Sequence, residues 1–224
     1  HISGSLFFDL DKNSQKNTAL PHMLTDKNNW EKIVSQMGIN QSDKIIIYDN
    51  SDVVSSCRCW FNFIYFGHNP NLVHILNGGL KKWINENRNV TNDIPKVKIS
   101  DYKSNEKKEL VKNKISIEEN IKSQKFKVID GRSKERFEGK VPEPRKGLRS
   151  GSIKNSFCIP FNHCLNKDKT FKNKDELKNV FKPFIKDLNE KDIVFSCGSG
   201  VTACVLALAY SLINDKYQPC IYDG

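Results

Sequence analysis

Short apolar runs bounded by polar, asparagine- and glycine-rich stretches recur along the chain and alternate with segments of helical spacing. Residues 1–10 are apolar enough to predict a strand with a turn. A polar loop then leads to a predicted helix over 29–37, with Thr25 or Asp26 as its cap and Gly38 as its end. Three consecutive isoleucines, Ile45 to Ile47, mark a strand over 44–48. Residues 55–66 predict a buried helix closed by Gly67, 73–76 a strand closed by Gly78 and Gly79, and 80–87 a helix. After residue 113 the alternation resumes. A helix is expected over 116–124, with Ser116-Ile117-Glu118-Glu119 as a capping box. Then come a strand over 127–130, a helical turn over 133–137, a rigid loop at Pro142-Glu143-Pro144-Arg145 and a helix over 175–184. Strand and helix in alternation at this spacing predict parallel βαβ units.

Between the two series, residues 89–113 are charged, contain Pro95 and lack periodicity. This divides the chain into a domain over 1–95, a linker over 96–113 and a domain over 114–224. The halves also superpose as sequences. Ile2-Ser3-Gly4-Ser5 matches Ile153-Lys154-Asn155-Ser156, Ile46-Ile47-Tyr48-Asp49 matches Val194-Phe195-Ser196-Cys197, and Ile75-Leu76-Asn77-Gly78 matches Ile221-Tyr222-Asp223-Gly224. Two copies of one α/β domain are therefore expected, each a parallel sheet flanked by helices. The first copy has no counterpart of 114–152, and the second stops where the first continues into the helix of Trp83. Both copies are thus expected to be clipped at the chain ends, since a sheet short of a strand exposes an edge.

The repeat differs where chemistry is expected. Ile193 to Phe195 deliver Cys197 into the loop Gly198-Ser199-Gly200, and a mostly apolar helix is predicted over 201–213. That order places the sulfur at a helix N-terminus, where free N–H groups and the helix dipole favour an anion. A thiol so placed is expected to be partly ionised and nucleophilic. Gly198 and Gly200 allow the N–H groups of 198 to 202, including those of Val201 and Thr202, to converge on it. A cysteine beside an apolar run can also be a small core residue. The first copy carries Asp49 at this position, so only the second half is armed.

Charge and cysteine usage narrow the classes. The formal net charge is +10, but the lysines are scattered among asparagines as a solvated surface, so no nucleic-acid groove is expected. Such a surface still steers small anions. No run approaches the roughly 18 apolar residues of a membrane helix. Seven cysteines, an odd number without paired spacing, argue against a disulfide framework. Cys57 and Cys59 lack the partners of a zinc site. A reducing compartment, cytoplasmic or mitochondrial, is expected, although a chain starting at His1 says little about targeting.

Taken together, His1-Ile2-Ser3-Gly4, Asn77-Gly78-Gly79-Leu80-Lys81-Lys82-Trp83, Arg136-Phe137-Glu138-Gly139, Pro142-Glu143-Pro144-Arg145 and Cys197-Gly198-Ser199-Gly200-Val201-Thr202-Ala203 resemble the two-domain rhodanese-type sulfurtransferases. The resemblance covers nearly the whole chain. Within that family, thiosulfate sulfurtransferases usually carry basic residues directly after the cysteine. Gly198-Ser199-Gly200 is closer to the 3-mercaptopyruvate sulfurtransferases. A carboxylate and a ketone call for planar bidentate donors, which Arg136 and Arg145 can supply, although each could instead be a surface arginine paired with a glutamate. The resemblance further implies a relay in which Asp11 orients His22 and His22 polarises Ser199. Arg58 is expected to be a structural ion-pairing residue. Gly151-Ser152-Ile153-Lys154-Asn155 departs from the family's Gly-His-Ile-Pro-Gly, and Ser3 stands for a proline, neither at a chemical position.

The expected reaction is ping-pong transfer from a small-molecule sulfur donor through a Cys197 persulfide to a thiol acceptor such as thioredoxin, or to cyanide. No metal or organic cofactor is required, and a monomer or weak homodimer is expected. Alternatives are thiosulfate:cyanide sulfur transfer and a non-enzymatic persulfide carrier. Cysteine phosphatases share the strand–loop–helix design, but they need an arginine six residues after the cysteine, where this chain has Ala203.

Overall fold

Asp26 starts the first helix: its side chain accepts the Asn29 N–H, and α1 (Lys27–Gln36) follows. α1 buries Trp30 and Val34. The Trp30 ring stacks on Phe66 with centroids 4.6 Å apart and meets Phe63 edge-on at 5.0 Å. β1 (Ile45–Ile47) leads to α2 (Ser56–Tyr65), buried around its whole circumference, and then to β2 (Val73–Ile75) and α3 (Gly79–Asn85). β1 and β2 pair in parallel, with Ile45 beside Val73 and Ile47 beside Ile75.

The strand predicted over 1–10 does not form. Its donors go to turns and side chains: Ser5 N–H reaches Ile2 O at 3.1 Å, and Ile2 N–H reaches the Tyr48 hydroxyl at 3.0 Å. Phe7 is 87% exposed, while Phe8 packs edge-on against Trp30. Apolar composition was present without a neighbouring strand to complete a ladder.

Later in the chain come β3 (Val111–Lys112), α4 (Lys114–Ser123), β4 (Lys127–Asp130), α5 (Lys134–Phe137), β5 (Phe157–Cys158), α6 (Lys174–Phe181), β6 (Ile193–Ser196), α7 (Val201–Ser211) and β7 (Ile221–Tyr222). They build a five-stranded parallel sheet in the order β3-β7-β6-β4-β5. β3 lies within the stretch read as a linker and pairs with β7. The capping box expected at Ser116 is absent. Asn113 caps α4 instead, accepting the Ser116 N–H at 2.9 Å, so the helix begins before the serine. A capping box does occur on α6, between Asn173 and Glu176.

The computed structural model describes residues 1–224 and divides them into two compact units. One comprises His1–Lys108 with Asp168–Thr170, the other Glu109–Lys167 with Phe171–Gly224. The second unit is layered. β6 is buried at all four residues, as a strand covered on both faces should be. Phe195 meets Phe181, Tyr210 and Tyr217 edge-on at 6.0 to 6.2 Å. Val194 packs with Ile117, Val128 and Cys220.

The repeat is real in three dimensions. Ile47 pairs with Ile75 in the first unit, and Phe195 pairs with Ile221 in the second. These are the pairs that the sequence superposition equates. No helix is long and apolar enough to cross a membrane.

Candidate active site

β6 ends at Ser196, which lies in register with Asp130 at the end of β4. The next residue, Cys197, is half-buried and its thiol is free. Gly198 and Ser199 follow, then Gly200, whose φ of 74° places it in the left-handed region as the cap of α7. No hydrogen bond within the chain uses the N–H groups of residues 198 to 200. The first N–H groups of α7, at Val201 and Thr202, have no carbonyl one turn earlier to satisfy them. The dipole of this eleven-residue helix points its positive end at the same loop.

Two guanidinium groups converge there. A Cβ placed on Gly198 would lie 3.0 Å from Arg136 Nη2 and 3.8 Å from Arg145 Nη2. Arg145 Nη2 donates to the Gly198 carbonyl. Arg136 comes from α5, whose cap Ser133 accepts the Arg136 N–H. A side chain at position 198 would therefore crowd the Arg136 guanidinium.

Arg136 is also paired, as the alternative reading of a surface arginine allowed, but its partner is buried. Glu143, with a side chain only 3% exposed, accepts from Arg136 Nη2 at 2.5 Å and from Nε at 3.2 Å. The same carboxylate accepts from Arg132 Nη1 at 2.8 Å. Arg132 in turn grips Asp130, from Nη2 at 2.7 Å and Nε at 3.0 Å, and donates to Gly151 O at 2.8 Å. The hydrogen bond from Arg136 leads the effects that hold the Glu143 carboxyl below its usual range; burial opposes it, and the Arg132 charge adds to it. Burial opposes the Arg132 charge, but Asp130 and then Glu143 outweigh it and raise its pKa. Arg132, Asp130 and Glu143 were not singled out from the sequence. The readable signal was Glu143, held between Pro142 and Pro144 in a backbone with little freedom.

The first unit holds the other named pair. His22 Nε2 donates to Asp11 Oδ1 at 2.8 Å, and its other ring nitrogen, Nδ1, is buried without a hydrogen-bond partner. His22 has a φ of 61°, uncommon for a residue with a side chain. Arg58, fully buried, donates from Nη2 to the His22 carbonyl at 2.6 Å. At the position equivalent to Cys197, Asp49 accepts from Ser55 N at 2.7 Å, from Ser55 Oγ at 2.9 Å and from Ser51 Oγ.

The sequence pattern of the rhodanese-like domain matches residues 1–86 and 115–224. The chain belongs to the rhodanese-like family. It is 34% identical to 3-mercaptopyruvate sulfurtransferase of Mus musculus over 226 aligned positions, covering all of this chain and 75% of that protein. Thiosulfate sulfurtransferase of Bos taurus is equally similar, at 34% over 227 positions with the same coverage. The crystal structure of SseA from Escherichia coli, described among 3-mercaptopyruvate sulfotransferases, matches with a TM-score of 0.86 and 28% identity. That match covers all of this chain and 82% of SseA. The full-length relatives are sulfurtransferases of both donor types.

Proposed function

We propose that this rhodanese-like chain is a sulfurtransferase that takes sulfur from 3-mercaptopyruvate through a persulfide on Cys197 and releases pyruvate. The observation that carries this is the approach of Arg136 and Arg145 to Gly198, beside a free thiol at the open N-terminus of α7. A planar carboxylate suits two guanidinium groups. The Cys197 sulfur attacks the substrate sulfur, the carbon–sulfur bond breaks, and its electron pair leaves on pyruvate as the enolate. The outer sulfur stays on Cys197, facing the N–H groups of residues 198 to 202. A proton then converts the enolate to pyruvate.

Ser199 and the Asp11–His22 pair are assigned the proton transfers that the resemblance implies, with Asp11 fixing the His22 tautomer. A thiol such as that of thioredoxin, or cyanide, then takes the sulfur. The residue after Gly198 favours this donor over thiosulfate, because Ser199 supplies no positive charge for a dianion. Pyruvate release from mercaptopyruvate, measured beside thiosulfate turnover, tests the assignment. Loss of pyruvate release in Cys197→Ser is expected, and retention of it refutes the mechanism. A faster reaction with thiosulfate would reassign the donor.

A further inference from the structure

We propose that Glu143 is a positioning residue that aims the Arg136 guanidinium at the Cys197 loop, setting how strongly the site prefers a reagent bearing a carboxylate. This deepens the proposed donor assignment and rests on it for the substrate's identity, but not for its test. Glu143 is the one carboxylate that binds both Arg132 and Arg136. Its two oxygens occupy Nε and Nη2 of Arg136, the edge that a carboxylate ligand would otherwise take in bidentate fashion. Arg136 is thereby fixed in plane, and the Nη2 that Glu143 holds is the atom 3.0 Å from the would-be Cβ of Gly198.

The clamp is anchored. Arg132 joins Glu143 to Asp130, and Asp130 sits beside Ser196 in the sheet, one residue before the nucleophile. A rigid path of ion pairs therefore runs from the catalytic strand's neighbour to the substrate-facing arginine. Three guanidinium groups (Arg132, Arg136, Arg145) face two carboxylates (Asp130, Glu143), which leaves one positive charge in excess near the loop. Two effects of removing Glu143 thus oppose one another. Lost orientation weakens the capture of an anion, whereas lost negative charge strengthens it. The proposal is that orientation wins.

The test compares alkylation of Cys197 by iodoacetate, which bears a carboxylate, and by neutral iodoacetamide. The rate ratio is read at the Cys197 peptide by mass spectrometry. It is independent of which sulfur donor the protein turns over, so failure of the mercaptopyruvate assignment leaves the test standing. In Glu143→Gln the ratio is expected to fall about fivefold, and to be unchanged by the same substitution made in Arg136→Ala, because coupled residues act through one path. Glu143→Asp keeps the charge but withdraws it from Arg136, and is expected to lower the ratio as well. It also serves if the glutamine variant does not fold. A ratio that rises in Glu143→Gln, or that falls equally with and without Arg136, overturns the proposal. So does an unchanged ratio accompanied only by a lower melting temperature, which would make Glu143 purely structural.

Discussion

The Asp49 carboxylate accepts the backbone N–H of Ser55 at 2.7 Å, and with it the first unit supplies an anion to its own helix-entry loop. The second unit has a sulfur at the equivalent place and no such internal partner. Asp49→Ala is therefore expected to destabilise the chain by about 1–2 kcal/mol, as loss of a helix cap does. The rate of Cys197 alkylation in the folded protein should not change. Urea denaturation and the alkylation rate, measured on the same variant, check both halves of this expectation.

The seven thiols should differ sharply in reactivity. Burial pushes Cys59 and Cys164 up to about 12, and Cys220 up to about 11. Cys158 is only half-buried, but burial and then the Asp130 charge push it up to about 11. A thiolate is the attacking form, so iodoacetamide at neutral pH is expected to modify Cys197 first. Cys59, Cys164 and Cys220 should label only on unfolding. Time-resolved peptide mapping gives the order, and prior labelling of Cys158 would contradict it.

Gly200→Ala places a side chain at a φ of 74°. An L-residue there costs about 1–2 kcal/mol, and a loop that relieves the strain shifts the backbone around Cys197. Activity is expected to fall more than tenfold by this route while the melting temperature drops by only a few degrees. Kinetics set against a thermal melt separate the two effects.

Acid should loosen the arginine network. Glu143 is held below its ordinary 4.5, led by the hydrogen bond from Arg136. Its depressed folded pKa contributes stability that is present above the unfolded value and lost as the pH falls through the folded one. Wild type is expected to be more stable than Glu143→Gln at about pH 6, with the difference shrinking below about 4.5. Urea midpoints across that range measure it, and a constant difference would count against the ion pairs as its source.

Much of this was legible in the sequence, for identifiable reasons. β6 carries a continuous apolar run and β4 beside it centres on Val128 and Ile129, and their helices are bounded by glycines or capping residues, so pattern and environment agree. β3, β5 and β7 are two residues each, too short to carry a period, and only the internal repeat pointed to β7. Residues 1–10 misled because apolar composition does not supply a pairing partner. Asn113 displaced the expected Ser116 cap because a side-chain acceptor earlier in the chain starts the helix sooner. At the site, Cys197, Arg136 and Arg145 could be named from motifs. The Asp130–Arg132–Glu143 chain could not, because charged residues close in sequence look like solvated surface until their burial is known.

Asp130 and Ser196 share a rung of the sheet; the Asp130 carboxylate holds the guanidinium frame through Arg132, and the nucleophile Cys197 directly follows Ser196. The spacing between reagent-binding and attacking groups is thus fixed by a ladder of main-chain bonds, not by mobile loops alone. A slip of one strand against its neighbour would throw both halves of the chemistry out of alignment at once, but it would also turn every buried side chain of β6 to the wrong face. Heat inactivation should then coincide with the melting of the second unit's core, which acts as the catalyst's ruler.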